Sequence, residues 1–520
     1  MDEFIHKVHT AYLPAWFAPK PPAPFLDYGF THSISENSGV PEPALRLLLT
    51  ILAGYPISIL YRLIFLNKTS SIIGESARNT FFLVTGLSMS YYFNSYDIIH
   101  PLTTCIGTWL ICRVCGLVAP KKRALASSLS FLFNFGYLLT SYKYAATEEY
   151  DICYTMQQCV QCLRMIGYGL DFSDGQPKSS RGKSKDQSAT TEAKKVPDQA
   201  ATSPSPSPSP SPPPTTPAVV REKTPISFGR DIALQELPSL PETVAYAFFP
   251  FAFLVGPQFS FSLYRKFISM ELFNVPIPKS AGETEAREAA AATANGIPQG
   301  SLRYAARCFL LGYLGIWTIG EGPCVLSGIT FNGYDAKGRP EWDGLRNVNP
   351  INYEFATSLT QIIASFNMNT NYWAKLYVFK RLIFLGNKNL SALGVLLFLA
   401  VWHGTHIGYF ICFGLEFMDM ETERRMSARF GKPINAFIAS KQGVVHVVLK
   451  ATWGVITWLL TTSALYFAAV PFDLLQVDKS LAAVRTINFL GLWVMLGLLG
   501  LDIVLSIVMP KKRSKSIKTE

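Results

Sequence analysis

Apolar runs long enough to cross a lipid bilayer recur along most of this chain, and they restrict its fold more than any other feature. A helix needs about 20 apolar residues to cross the roughly 30 Å hydrocarbon core. Only 16% of the 520 residues are charged, against about 25% in soluble domains. The sequence therefore predicts an all-α, polytopic membrane protein with about ten membrane segments. The candidate runs are 44–66, 79–96, 98–119, 124–146, 152–171, 240–262, 303–331, 390–418, 444–470 and 482–509.

The net charge of +11 is concentrated in short basic stretches beside the apolar runs. Lys121, Lys122 and Arg123 follow one run, and the last ten residues carry a second basic stretch. Short loops of this kind usually face the cytosol. Basic and aromatic residues do not alternate in any soluble stretch, so the sequence argues against a nucleic-acid partner.

Composition divides the chain into five parts. Pro and Ser repeats such as SPSPSPSPSPPPTTP cannot build a core, so the part that contains them is predicted to be a disordered loop. The five parts are an N-terminal segment at 1–43, the first membrane helices at 44–172, the Pro/Ser-rich loop at 173–230, a core at 231–510 that contains the remaining membrane segments, and a basic cytosolic tail at 511–520.

Two further stretches interrupt the apolar pattern. Within 264–300, the run GETEAREAAAATANG predicts a short surface helix that ends near Asn295. Within 332–389, aromatic and basic residues alternate with polar ones. That mixture is typical of helices that lie at the membrane interface or line a cavity.

The cysteines do not indicate a metal site. Cys112/Cys115 and Cys159/Cys162 have the spacing of zinc or redox pairs. Both pairs fall in apolar runs without neighbouring His or Asp ligands, and a buried free Cys behaves as a small hydrophobe. We predict no metal and no permanently bound cofactor.

His403 lies near the middle of the apolar run 390–418, within VWHGTHIGYF. A titratable group at that depth is costly and is by default a functional candidate. A neutral imidazole can take the proton of a substrate hydroxyl as a general base, which is worth roughly 10²–10⁴-fold in rate. The alternative is a histidine that only packs against a neighbouring helix. His406, one turn further, is better explained by packing.

The segment FNMNTNYW, from Phe366 to Trp373, is the second candidate. If it is helical, Asn367 and Asn371 share a face. A carboxamide can stabilise a developing oxyanion by about 2.7–4 kcal/mol, and the alternative is a turn or a cluster of hydrogen bonds. The basic residues after this segment are equally consistent with binding to phosphates and with an ordinary membrane flank.

No GxSxG, Walker or Rossmann pattern stands in a suitable context, which disfavours a serine hydrolase, an ATPase and a dehydrogenase. The stretches SFNMNTNYWAKLYVFKRLIFLGNK and VWHGTHIGYF together resemble the active-site region of the membrane-bound O-acyltransferase (MBOAT) superfamily. YDICYTMQQCVQCLRMIGYGLDF, AFLVGPQFS and GEGPCVLSGITFNGYDAKGRPEWD extend the resemblance, and 320–416 is its most specific part.

The resemblance implies an MBOAT-type helical bundle with an internal tunnel, in the endoplasmic reticulum membrane. It implies transfer of a polyunsaturated fatty acyl group from acyl-CoA to the sn-2 hydroxyl of lysophosphatidylcholine and related lysophospholipids. The catalytic histidine of the family then corresponds to His403 and its partner asparagine to Asn367. We also expect substrate contacts from Asn371, Trp373, Lys380 and Arg381. A homo-oligomer is compatible with the sequence.

The chain departs from the family pattern near residues 316–317, where relatives carry a further loop and membrane segment. The Pro/Ser insert, conversely, is additional. Two alternatives stay open beside the main hypothesis. One is an enzyme of the same superfamily with a sterol, diacylglycerol or peptide acceptor, and the other is a catalytically silent lipid-binding membrane protein. A transporter is disfavoured because no internal repeat is visible.

Overall fold

Helices make up nearly all of the regular structure in this computed structural model, which describes residues 13–20, 29–66, 74–118, 123–145, 152–175, 226–229, 231–276 and 313–508. In these ranges the only β pairing is one isolated bridge, between Tyr334 and Pro340. The described helices on both sides of residues 177–224 pack into one compact unit.

We number the α-helices in chain order. They are α1 (Leu13–Phe17), α2 (Gly29–Ser38), α3 (Glu42–Phe65), α4 (Glu75–Asn94), α5 (Ile99–Val118), α6 (Ala124–Ala145), α7 (Tyr154–Asp174), α8 (Leu240–Ala247), α9 (Phe261–Ile268), α10 (Tyr313–Ser327), α11 (Pro350–Glu354), α12 (Leu359–Ser365), α13 (Met368–Ala374), α14 (Lys388–His403), α15 (Ile407–Met426), α16 (Lys432–Ala439), α17 (Gly443–Leu474), α18 (Val477–Thr486) and α19 (Leu490–Val508).

Five helical segments among the described residues are long and apolar enough to cross a membrane: Glu42–Phe65, Glu75–Val118, Ala124–Ala145, Gly443–Leu474 and Leu490–Val508. The second contains both α4 and α5. A short 3₁₀ turn at Ser95–Ile98 separates them, and Ser95 has a positive φ of 53°. Each half has 20 residues, which is about 30 Å at 1.5 Å per residue. The prediction of a helical, multi-pass membrane protein is confirmed.

An aromatic cluster forms the core between α3, α4, α9 and the segment after α8. The Tyr61 ring lies 4.6 Å from that of Phe82 and 5.5 Å from that of Phe267, and the Phe82 ring lies 5.0 Å from that of Phe249. All four side chains are buried. Tilted aromatic pairs of this kind are worth about 0.5–1.5 kcal/mol beyond the area they bury, so they fix how these helices pack.

The predicted span 152–171 is a helix, α7, but it is buried inside the protein. Its polar side chains Gln157, Gln158, Gln161 and Arg164 are at most 2% exposed. Such residues are too costly to face lipid, so α7 serves as an inner helix that other elements surround. The Cys159/Cys162 pair lies on it, and both thiols are free.

The predicted span 240–262 is wrong as a continuous helix. Ser239 begins α8 with a capping box to Glu242, and the helix ends at Ala247. Pro250 and Pro257 follow, and proline cannot continue a helical hydrogen-bond ladder. The non-helical chain is held by Arg164, whose guanidinium donates to the carbonyls of Tyr246, Ala247 and Ala252 at 2.9–3.1 Å.

The predicted span 390–418 is also wrong as one helix. It forms α14 and α15, separated at Gly404–His406. Glu416, near the end of the predicted run, therefore lies in the middle of α15. Helices α11, α12 and α13 lie within 332–389, and their position at the membrane interface or beside a cavity stays a prediction.

Several expectations fall on residues outside the described ranges. They are the loop at 176–225, the surface helix at 277–300, residues 303–312 of one predicted span and the basic stretches at 121–122 and 511–520. Residues 316–317, where the chain is predicted to depart from the family pattern, lie inside the continuous helix α10.

We predict that Arg164→Met lowers the apparent melting temperature of the detergent-solubilised protein. The substitution removes the guanidinium donors of three carbonyls in a buried segment, at a cost of about 1–3 kcal/mol for a polar group left unsatisfied. Arg339→Met is the matched control, because Arg339 is exposed and pairs with Asp335 at the surface. Exposed pairs contribute about 0–1 kcal/mol. Equal melting temperatures for the two variants would contradict the role of Arg164.

Candidate active site

His403 is the last residue of α14, at a sharp break in the chain. The break occurs at Gly404, whose φ of 145° and ψ of −173° lie in a region that only glycine adopts readily. A Cβ on Gly404 would also stand 3.0 Å from Cε2 of Tyr409. The WHG sequence thus places the imidazole at a helix end rather than along a continuous helix.

Aromatic rings surround the imidazole of His403. The ring centroid lies 5.0 Å from that of Phe472, 5.6 Å from that of Phe413 and 5.7 Å from that of Tyr409. Within the part of the chain that the structure describes, neither ring nitrogen has a hydrogen-bond partner, and the side chain is partly buried. Apolar surroundings disfavour a charged imidazolium, so the ring stays neutral and can accept a proton.

A close approach of α15 to the end of α17 brings Phe472 into this group. A Cβ on Gly408 would stand 2.2 Å from the Pro471 carbonyl oxygen, so only glycine permits the contact. The Gly408 amide donates to the Leu475 carbonyl at 3.1 Å. The residues that follow WHG therefore complete the aromatic wall.

Hydrogen bonds to two other helices fix Trp402, the residue before His403. Trp402 is 7% exposed. Its carbonyl accepts from the Tyr142 hydroxyl on α6 at 2.9 Å, and its indole donates to the Cys159 carbonyl on α7 at the same distance. These two bonds hold the end of α14 and so set the direction of the adjacent imidazole.

Asn367 stands just before α13 in a left-handed conformation, with φ 47° and ψ 46°. Such a conformation costs roughly 1–3 kcal/mol and persists only where the surroundings impose it, although Asn tolerates it better than most residues. The side chain is partly buried, and among the described residues its carboxamide makes no hydrogen bond. Asn367 therefore precedes the helix instead of sharing a helical face with Asn371.

The other two asparagines of the cluster hold the backbone. The Asn371 amide donates to the Ile363 and Phe366 carbonyls at 3.0 and 2.8 Å. The Asn369 amide donates to the Leu345 and Arg346 carbonyls, each at 3.1 Å. Of the three, Asn367 is the one whose carboxamide has no hydrogen-bond partner among the described residues. A binding role for Asn371 stays a prediction.

The two candidate segments meet through tryptophan packing. Trp373 is 1% exposed, and its ring stacks at 5.6 Å on Phe398 of α14. Trp373 and Trp402 belong to one buried cluster. Substrate contact by Trp373 stays a prediction, because the ring is enclosed by protein here.

Lys380 and Arg381 lie in the 3₁₀ helix Lys380–Leu385, after a π-helical turn at Lys375–Phe379. Both are exposed. Arg381 pairs with Asp174 at 2.6 Å, while Lys380 has no ion-pair partner among the residues that the structure describes. Their binding roles also stay predictions.

Three aromatic residues near His403 and two residues near Asn367 were missed by sequence reasoning. Tyr409 and Phe413 follow WHG at helical spacing, which was a usable signal. Phe472 comes from a distant helix. No local pattern marks Glu321 and Asn347, which reach the Asn367 segment through backbone hydrogen bonds. In the described ranges, no group of three His, Cys, Asp or Glu side chains is placed to hold a metal ion.

The helical membrane fold and the candidate residues His403 and Asn367 agree with one known class of acyl-transfer enzyme. The model of the membrane-bound O-acyltransferase family matches residues 139–284 and 300–438. The chain belongs to this family and is an acyltransferase.

Several relatives carry a more specific name. The lysophospholipid acyltransferase 5 of Drosophila melanogaster is 33% identical over 434 residues, which cover 78% of this chain and 76% of that one. The proteins of the same name from Bos taurus and Homo sapiens are 32% and 31% identical over 512 and 487 residues. These cover 92% and 88% of this chain, and 93% and 88% of theirs.

We predict that Gly404→Ala lowers both stability and acyl transfer. Alanine disfavours the observed backbone by roughly 1–3 kcal/mol, and relief of that strain would turn His403 away from its aromatic neighbours. Gly454→Ala is the control, because nothing lies within 4 Å of a Cβ at that helical position. Melting temperature and transferase rate measure both variants. Full activity in Gly404→Ala would show that the break does not orient the histidine.

Proposed function

We propose that this acyltransferase moves a fatty acyl group from acyl-CoA to the sn-2 hydroxyl of a lysophospholipid. The observation that carries the proposal is that two polar side chains without a described hydrogen-bond partner, His403 and Asn367, lie on irregular backbone in segments joined by tryptophan packing. The printed names of the relatives support the acceptor class.

In the proposed mechanism, Nε2 or Nδ1 of His403 takes the proton of the acceptor hydroxyl. The oxygen attacks the thioester carbonyl, and a tetrahedral oxyanion forms. The carbon–sulfur bond then breaks, and the imidazolium returns the proton to the CoA thiolate. The products are a diacyl phospholipid and free CoA, so atoms and charge balance without a further co-reactant.

The Asn367 carboxamide is proposed to donate to the oxyanion or to hold the reacting carbonyl. A preorganised amide donor typically contributes about 2.7–4 kcal/mol to such a transition state. The strained backbone fixes the direction of the side chain before the substrate arrives, so little reorganisation is needed during the reaction.

Lysophosphatidylcholine, lysophosphatidylserine and lysophosphatidylethanolamine are the proposed acceptors, with polyunsaturated acyl-CoA as the donor and the endoplasmic reticulum as the location. Exposed Lys380 is a candidate contact for phosphate groups of the donor. A panel of labelled acyl-CoA donors and lysolipid, sterol and diacylglycerol acceptors tests this choice. Transfer to a sterol or diacylglycerol alone would refute it.

We predict that His403→Ala abolishes transfer while leaving the protein level near that of the wild type. Removal of a general base costs roughly 10²–10⁴-fold. His406→Ala is the matched control, because His406 lies three residues away and its ring meets Tyr409 edge-on. Transfer from labelled acyl-CoA is measured in membranes that lack endogenous lysolipid acylation. Wild-type rates in His403→Ala would refute the assignment of the base.

We predict that Asn367→Gly loses most of the activity without loss of stability. Glycine adopts the left-handed backbone freely, so this variant removes the carboxamide alone. The expected loss is about 10²–10³-fold in kcat. Asn367→Ala adds backbone strain and should melt at a lower temperature than Asn367→Gly. If Asn367→Gly were as active as the wild type, the carboxamide would have no part in catalysis.

A further inference from the structure

The backbone on both sides of Asn367 is held by one loop. The Asn349 amide donates to the Ser365 carbonyl, and the Met368 amide donates to the Asn347 carbonyl, each at 2.8 Å. The bonds fall two residues before and one residue after Asn367. The loop at 345–349 thus clamps the chain across the left-handed residue.

The same loop also holds the first residues of α13 by hydrogen bonds. The side-chain oxygen of Asn347 accepts from the Asn369 backbone amide and from its side-chain amide, at 3.2 Å each. Asn347 is 2% exposed and Asn369 is fully buried. Because these bonds are shielded from water, they do not compete with solvent, and the clamp is rigid.

Glu321 anchors the loop from α10. Its carboxyl group accepts the Asn347 backbone amide at 3.0 Å, and this bond ties the loop to the helix. One helical turn earlier, the Trp317 ring meets the ring of Phe366, the residue before Asn367, at 4.7 Å. Helix α10 therefore reaches both neighbours of Asn367, by ring contact on one side and through Asn347 on the other.

We propose that Glu321 is a positioning residue for the reaction: acting through Asn347, it holds Asn367 in the left-handed conformation that aims its carboxamide. Glu321 does not itself contact the reacting atoms. The inference rests on the proposed function, because that function gives the Asn367 carboxamide a part in catalysis. It also explains a carboxylate in an otherwise apolar helix, where such a group is costly.

The test is a double-mutant cycle between Glu321 and Asn367, measured as lysolipid acylation in membranes. Glu321→Ala should lower kcat by about 10-fold or more and change KM for donor and acceptor by less than about twofold, since the loss falls on the transition state. In the Asn367→Gly background the same change should have almost no further effect. Glu321→Gln keeps an acceptor oxygen and should retain more activity than Glu321→Ala.

Tyr55→Phe is the matched control. The Tyr55 hydroxyl donates to the Ile319 carbonyl of α10 at 2.9 Å, so its loss weakens the attachment of the same helix without touching the loop. Its kcat should stay within about twofold of the wild type. If Glu321→Ala fails to accumulate, Glu321→Gln takes its place in the cycle.

Equal loss from Glu321→Ala in the wild-type and Asn367→Gly backgrounds would overturn the inference, because the residue would then act independently of Asn367. An equal loss in Tyr55→Phe would reduce its role to general support of α10. Wild type and His403→Ala are assayed alongside. Absence of transfer by the wild type refutes the proposed function itself, whereas transfer with additive losses refutes only the positioning role.

Discussion

Backbone hydrogen bonding inside the bundle is the constraint on which the rest of this structure depends. Lipid offers no partner to an exposed N–H or C=O group, so irregular backbone at membrane depth survives only where protein satisfies it. The chain leaves the helical conformation at three places that matter here: after Ala247, around Asn367 and at Gly404. The first is satisfied by the Arg164 side chain from α7, and the second by the loop at 345–349, through its backbone and the Asn347 side chain.

The two irregular positions in the candidate active site solve a geometric problem. A side chain on a continuous helix points outward from the axis, and neighbouring backbone groups are occupied. At a helix end the imidazole of His403 has aromatic neighbours but no described hydrogen-bond partner. At the start of α13 the carboxamide of Asn367 is likewise uncommitted. Both candidate groups thus lie on irregular backbone, and buried hydrogen bonds around them supply rigidity.

Hydropathy was enough to predict the helical membrane fold, and local motifs selected His403 and Asn367 as candidate site residues, whose roles stay predictions. The polar side chain within an apolar run marked His403, and the asparagine cluster marked Asn367. Hydropathy wrongly predicted one helix at 390–418. An average over the run does not indicate that Gly404 has a backbone conformation that other residues disfavour. It also failed at 240–262. The number of apolar residues there predicted one helix, although Pro250 and Pro257 indicated a break.

Contacts between distant segments could not be predicted from the sequence at all. Phe472 meets His403 because Gly408 allows α15 to touch the end of α17, and nothing near residue 472 records that approach. Glu321 reaches Asn347 through a backbone amide, which every residue except proline carries. A bond to the main chain leaves no requirement on the partner's side chain, and so it leaves no pattern in the sequence.

In the asparagine cluster, residues of one type have structural roles at two positions and a proposed catalytic role at the third. Each of the three carboxamides could donate to a carbonyl or to a substrate, and the sequence does not distinguish them. The fold distinguishes them. Asn369 and Asn371 donate their amides to carbonyls of the flanking segments, and these bonds fix the turn in which the Asn367 backbone is strained. The availability of one carboxamide is therefore a consequence of the commitment of the other two, and the cluster acts as a unit.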